Sequence, residues 1–178
     1  MPASSRLGTQ IEEIIATLNA MGARFALIGG LALASYKVLR GTSDVDLLTD
    51  AKTAEGVHAE MIRLGYQCLY RSPDVANYLR GDQRVDFLFA GRPVAQRLLA
   101  GASERDTSFG ALRVISAEGL IAFKLQGLVN NPRRTQDLED IKALLRANRD
   151  TLNIDEVREY FRLFDRESQL EDLLNETT

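Results

Sequence analysis

A single cysteine, Cys68, leaves no intramolecular disulfide and no cysteine-cluster metal site open to this chain, and a single histidine, His58, excludes a histidine cluster. Any catalysis has to rest on carboxylates, lysine or arginine. Positive charge is not in excess either: 22 Lys and Arg against 25 Asp and Glu give a formal net charge of −3. That balance argues against a protein that coats long nucleic acids, whose affinity would come from neutralised phosphates, while leaving room for a local basic site. The longest apolar run, Phe25 to Tyr36, is too short to span a bilayer, and the N-terminal MPASSRLGTQ lacks the apolar core of a signal peptide, so the expected location is cytoplasmic, with no membrane partner. Neither the Walker phosphate sequence nor the dinucleotide glycine pattern occurs, and there is no internal repeat or low-complexity tract.

What is present suits one domain, or one domain with a small helical appendage: 178 residues, 45% of them hydrophobic, are enough for a core. From Leu7 to Met21 apolar residues recur at helical spacing and Gly22 follows as a stop. The pattern then predicts a strand at Arg24–Ile28, a helix over Leu31–Leu39, a strand at Val45–Thr49 and a helix from Thr53 to Leu64. Gln67–Tyr70, Ala76–Leu79 and Val85–Phe89 read as strands joined by turns, which makes them antiparallel neighbours. A short helix at Pro93–Leu99 and a last strand at Phe109–Ile115 follow. Ser116 is a candidate N-cap, after which four helices are expected, at 117–129, 135–148, 154–164 and 166–174. The fold class is therefore α+β: a small mixed sheet with flanking helices over 1–115, then a helical C-terminal region over 116–178 packed on it. His58 is expected at the surface and Cys68 as a small core residue.

Chemistry concentrates between Phe25 and Asp50. An apolar run, Phe25-Ala26-Leu27-Ile28, meets Gly29-Gly30, and further on Asp44-Val45-Asp46-Leu47 alternates acid with apolar residue. In a strand, Asp44 and Asp46 share one face while Val45 and Leu47 turn to the core. Two adjacent carboxylates repel unless a cation lies between them, and oxygen ligands of this kind suit Mg²⁺, which completes its shell with water and substrate phosphates. The glycines let a ligand approach the backbone, and the N–H groups opening the next helix favour an anion. Taken alone, alternating acids describe a solvated strand face, and a glycine pair describes a plain strand-to-helix turn.

An apolar residue, a glycine pair, a spacer of thirteen residues from Leu31 to Ser43, then Asp-x-Asp between apolar residues resembles the signature of the DNA-polymerase-β-like nucleotidyltransferase superfamily. That resemblance implies a third acid on a neighbouring strand, supplied by Asp86 in Arg84-Val85-Asp86-Phe87, and a metal set of Asp44, Asp46 and Asp86. Gly30 stands where many members have serine, which removes one hydroxyl from the phosphate end. The family implies a nucleotidyltransferase that binds an NTP such as ATP and two Mg²⁺ ions, with Mn²⁺ as an alternative. Asp86 would complete the second metal site or help to deprotonate the attacking hydroxyl.

Lys124 stands inside an apolar helix stripe, with Leu120, Ile121, Gly127 and Leu128 three and four residues away, so its amine must snorkel out or meet an anion. From the glycine pair to about residue 145 the chain is similar to the AbiEii-type abortive-infection nucleotidyltransferases. In that branch a lysine in this helix precedes a segment like Arg134-Thr135-Gln136-Asp137-Leu138-Glu139-Asp140-Ile141, where Gln136 replaces a lysine. The resemblance implies that Lys124 holds the triphosphate and that Asp137 or Asp140 orients it or an acceptor; the plain alternative is an interhelical Lys124–Asp137 salt bridge. It also implies an acceptor that is RNA, a tRNA end or a partner protein in a toxin–antitoxin pair, with an antibiotic hydroxyl open as well. Arg71, Arg80, Arg84, Arg92, Arg97 and Arg133-Arg134 read as surface charge, a subset of which would meet an RNA backbone. A reading from another class is a non-catalytic module of this fold that binds nucleotide or a partner protein.

Overall fold

The computed structural model describes residues 5–177. Chain order is α1 (Arg6–Ala20), β1 (Phe25–Ile28), α2 (Gly29–Leu33), β2 (Val45–Asp50) and α3 (Ala54–Arg63), then β3 (Gln67–Arg71), β4 (Val75–Arg80), β5 (Gln83–Ala90) and α4 (Pro93–Ala100). β6 (Ser103–Thr107) and β7 (Gly110–Val114) precede the helices α5 (Ala117–Asn130), α6 (Thr135–Ala147), α7 (Ile154–Leu163) and α8 (Glu167–Glu176). The class is α+β, as expected. The strands form one seven-stranded mixed sheet in the order β3-β4-β5-β2-β1-β7-β6. β2 runs parallel to β5 and β1 parallel to β7; the other pairs are antiparallel. The chain divides into two compact units, one running through Ala32 and resuming at Arg40–Ile115, the other made of Leu33–Leu39 and the chain from Ser116 onward. Among the described residues no helix is long and apolar enough to cross a membrane.

In the first unit Ile14 and Leu18 of α1 and Val57 and Met61 of α3 gather around Phe87 of β5. Phe87 also meets Tyr78 edge-on and stacks on Phe89. Each such fully buried side chain contributes roughly 1.5–3 kcal/mol of hydrophobic free energy. These residues occupy one face of the sheet because Val85, Phe87 and Phe89 alternate with Arg84, Asp86 and Leu88 along β5. α1 ends where the sequence places a stop: Gly22 takes φ +65°, and the amides of Gly22 and Ala23 return to the carbonyls of Asn19 and Leu18. Ser116 caps α5 through its Oγ, which accepts from the Gly119 amide.

Four expectations change. The helix expected over Leu31–Leu39 begins two residues earlier, at Gly29, becomes a 3₁₀ turn at Ala34–Tyr36 and stops at Lys37, whose φ is +63°. Leu39 is 89% exposed, so the apolar run outlasts the face it can bury. Phe109–Ile115 is one arm of a hairpin whose other arm, β6, has four exposed residues out of five and hence no apolar alternation. His58 is half-buried and bonds the Tyr78 hydroxyl at 3.1 Å, and Cys68, on edge strand β3, is half-exposed rather than core. Burial pushes the Tyr78 phenol up to about 12.

Asp50 closes β2 with its side chain nearly out of water; it accepts from Arg24 Nη2 at 2.7 Å and from the Lys52 amide as a cap. The Arg24 bond outweighs burial and holds the Asp50 carboxyl below its ordinary pKa. A group whose pKa is lower folded than unfolded stabilises the fold above the ordinary carboxylate range and ceases to as pH falls through its folded pKa. Asp50→Asn, which keeps the cap acceptor, is expected to lower the urea midpoint near about pH 7 and to converge on wild type towards about pH 3.

Candidate active site

β1 delivers the chain to Gly29, which takes φ +66°, a left-handed conformation that L side chains rarely adopt. Ile28 is register partner to Asp46 on β2, and a Cβ on Gly29 would stand 2.6 Å from the Asp46 carboxylate carbon. A Cβ on Gly30 would stand 2.8 Å from the Thr42 methyl group. The glycine pair therefore lets two side chains of the following segment lie against the backbone. Gly29→Ala combines a left-handed penalty with this overlap and is expected to lower the unfolding free energy by about 2–4 kcal/mol. A urea midpoint unchanged from wild type would contradict the contact.

Asp46 and Asp86 are direct register partners across the parallel pair β2/β5, and Asn77 is the partner of Asp86 across β4/β5. Paired residues point to the same face, so Asn77, Asp86 and Asp46 form a row across three strands. Asp44 lies just before β2, where its amide donates to Thr42 Oγ1 at 3.3 Å, and alternation puts it on the Asp46 face. Val45 and Leu47 are buried while Asp44 and Asp46 are half-buried. Asp86 is engaged through both oxygens: Asn77 Nδ2 donates to its Oδ1 at 2.8 Å, and Arg84 Nε reaches Oδ1 at 3.2 Å and Oδ2 at 3.0 Å. The bond to Asp86, then its charge, with smaller contributions from Asp44 and Asp46, raises the Arg84 pKa above its ordinary value. Among the described residues no three His, Cys, Asp or Glu side chains gather closely enough to hold a metal ion. Asp86 is engaged by Arg84 and Asn77.

Arg84 thus corrects the reading of it as surface charge, and so does Arg80. The Arg80 guanidinium donates to Glu13, Gln83 and the Leu64 carbonyl and lies 4.4 Å from the Tyr66 ring centroid. Asn77 and Thr42 are contacts that the sequence reading passed over. Arg71 pairs with Glu55 and Arg92 stands 4.0 Å from Asp74.

In the second unit Lys124 meets two carboxylates, Asp137 Oδ1 at 3.2 Å and Asp140 Oδ2 at 2.6 Å. Arg134 Nε approaches Asp137 Oδ2 to 2.6 Å as an ion pair, and Gln136 Nε2 donates to Asp140 Oδ1. A Cβ on Gly127 would stand 2.8 Å from Asp137 Oδ2, so this glycine, one turn after Lys124, makes room for the pair. The interhelical Lys124–Asp137 bridge is present, extended by Asp140 and by Arg134.

No family model and no characterised protein matches the sequence. Solved structures match the fold. The antibiotic-resistance factor ANT(2'')-Ia superposes with a TM-score of 0.70 at 18% identity over 95% of this chain and 97% of its own. The lincosamide antibiotic adenylyltransferase LnuA, lincomycin-bound, gives 0.58 at 17% identity over 76% and 94%. An antigenic nucleotidyltransferase-like protein from Paracoccidioides brasiliensis gives 0.55 at 18% over 98% and 95%. The chain has the polymerase-β-like nucleotidyltransferase fold.

Proposed function

We propose that this chain is a metal-dependent nucleotidyltransferase that moves a nucleoside monophosphate from an NTP to a hydroxyl of an acceptor. One observation carries the reading: Asp46 is in register with Asp86 on one side and packs against Gly29 on the other. Asp44 and Asp46, half-buried carboxylates on one face, are an oxygen-only donor set of the kind that fits a hard divalent cation. Mg²⁺ or Mn²⁺ held by Asp44 and Asp46, with Asp86 for a second ion, would neutralise the charge that develops on the triphosphate. Gly29 and Gly30 leave the room in which Asp46 and Thr42 lie against the backbone. Asp86 takes the proton of the acceptor hydroxyl as that oxygen attacks the α-phosphorus in line, and pyrophosphate leaves. In the nucleotide-free protein Arg84 and Asn77 hold the Asp86 carboxylate.

For the acceptor, hydroxyl-bearing small molecules stand first. The matched structures include an adenylyl-2''-tobramycin complex and a lincomycin complex, and a chain with net charge −3 has little to offer a long polyanion. An RNA or tRNA end, or a partner protein in a toxin–antitoxin pair, is the acceptor that the AbiEii-type resemblance implies. Pyrophosphate release tests the reading: each NTP is incubated with the protein, Mg²⁺ and in turn aminoglycosides, lincosamides and total RNA. Release that needs both an NTP and one acceptor class supports it; no release with any combination supports the second reading, a nucleotide- or protein-binding module. The observation favouring that second reading is the capture of Asp86 by Arg84 and Asn77.

A further inference from the structure

Arg84 does more at the acid row than orient Asp86. Paired positions on adjacent strands bring Asp46 and Asp86 side by side, and Asp44 lies on the same face. At the Asp86 end of this row the chain carries a cation of its own, Arg84, two residues before Asp86 on the same face of β5. The guanidinium reaches both Asp86 oxygens at 3.0 and 3.2 Å, and Asn77 takes Oδ1 as well. Asn77 donates to Oδ1 and the single Arg84 Nε–H is shared between the two oxygens, so each Asp86 oxygen already has a donor. The Arg84 side chain is 42% exposed, and a half-exposed ion pair is held weakly enough to be exchanged.

We infer that Arg84 is the resting counter-ion of Asp86 and competes with divalent cations for that end of the Asp44–Asp46–Asp86 row. In the nucleotide-free protein the guanidinium satisfies Asp86 and lowers the attraction of the row for a second cation. A cation that engages Asp86 has to displace it, and the phosphate oxygens of an NTP supply the extra ligands that make the exchange favourable. Cation binding is in this way made conditional on nucleotide. This inference rests on the nucleotidyltransferase reading above and adds Arg84 as a positioning residue that sets the order of binding.

The test is the affinity of the full chain for Mn²⁺ alone, measured without nucleotide by the paramagnetic resonance of free Mn²⁺, and then again with a non-hydrolysable ATP analogue. Removing the competing charge in Arg84→Gln is expected to tighten Mn²⁺ binding without nucleotide by about tenfold. Arg84→Met is expected to act alike, and Arg84→Gln combined with Asp46→Asn to lose the gain. A residue that only braces the sheet would lower the melting temperature and leave Mn²⁺ affinity where it was. Mn²⁺ affinity in Arg84→Gln no tighter than in wild type overturns the inference, and so does failure of both single variants to fold, since Arg84 would then be structural. If wild type binds Mn²⁺ only with the analogue and Arg84→Gln binds it without, the exchange is established. If neither protein binds Mn²⁺ even with the analogue, the nucleotidyltransferase reading itself falls, an outcome distinct from equal binding by both.

Discussion

Asp46→Asn is expected to abolish nucleotidyl transfer, by about a thousandfold or more, while the protein stays folded. Asp46 sits at the centre of the site, between Gly29 and Asp86, so no other carboxylate can take its place. Losing one charged group aimed at a transition state costs roughly 10²–10³ in rate on its own, and loss of a metal ligand compounds this. The fold should tolerate the change because Asn is nearly isosteric and fits the same place between Gly29 and Asp86. The variant is therefore expected to unfold cooperatively, as wild type does. Transfer at the wild-type rate by a well-folded Asp46→Asn would remove Asp46 from the chemistry.

The largest stability effect is expected from Lys124→Ala, roughly 3–5 kcal/mol, because breaking a buried ion pair from one side leaves uncompensated charge. The side chains of Lys124, Asp137 and Asp140 are only 9%, 6% and 3% exposed, and the amine serves both acids. Arg134 would remain beside Asp137, while Asp140 would lose the ammonium that stands 2.6 Å from it. Adding Asp140→Asn to Lys124→Ala should recover a good part of the loss, as coupled neighbours do in a double-mutant cycle. Urea unfolding of the four proteins in that cycle measures it. The resemblance would have Lys124 grip the triphosphate; an ammonium already shared by two buried acids points instead to a structural role. On that basis the folded fraction of Lys124→Ala should bind NTP as wild type does. A variant of unchanged stability that no longer binds NTP would reverse the assignment.

Much of this was legible in the chain, for reasons that differ by element. Alternation in Asp44-Val45-Asp46-Leu47 fixed which side chains are buried, and Gly22 and Ser116 marked helix ends through ordinary cap chemistry. Asn77 could have been found by counting. Arg80 and Gln83 flank the two-residue turn Gly81-Asp82, and that hairpin register carries Asn77 onto Asp86. The pairing of Asp46 with Asp86 could not be counted, because parallel β2 and β5 are joined through α3, β3 and β4, a connection that sets no register. Ser103–Thr107 escaped notice because an exposed edge strand has no apolar face to show. The glycine pair reads in the sequence as a phosphate site or a plain strand-to-helix turn; that it also makes room for Asp46 and Thr42 is a contact that only folding reveals. Arg84 was dismissed as surface charge although the two-residue alternation already put it beside Asp86.

The fate of the individual phosphates tests the central claim most directly. The protein is incubated with Mg²⁺, an acceptor that supports turnover, and the same NTP labelled either at the α- or at the γ-phosphorus. Nucleotidyl transfer at the Asp44–Asp46–Asp86 row sends the α-label into the acceptor and the γ-label into free pyrophosphate, and Asp46→Asn does neither. Appearance of the γ-label in the acceptor, or release of the γ-label as inorganic phosphate with the α-label left on the nucleotide, would contradict it.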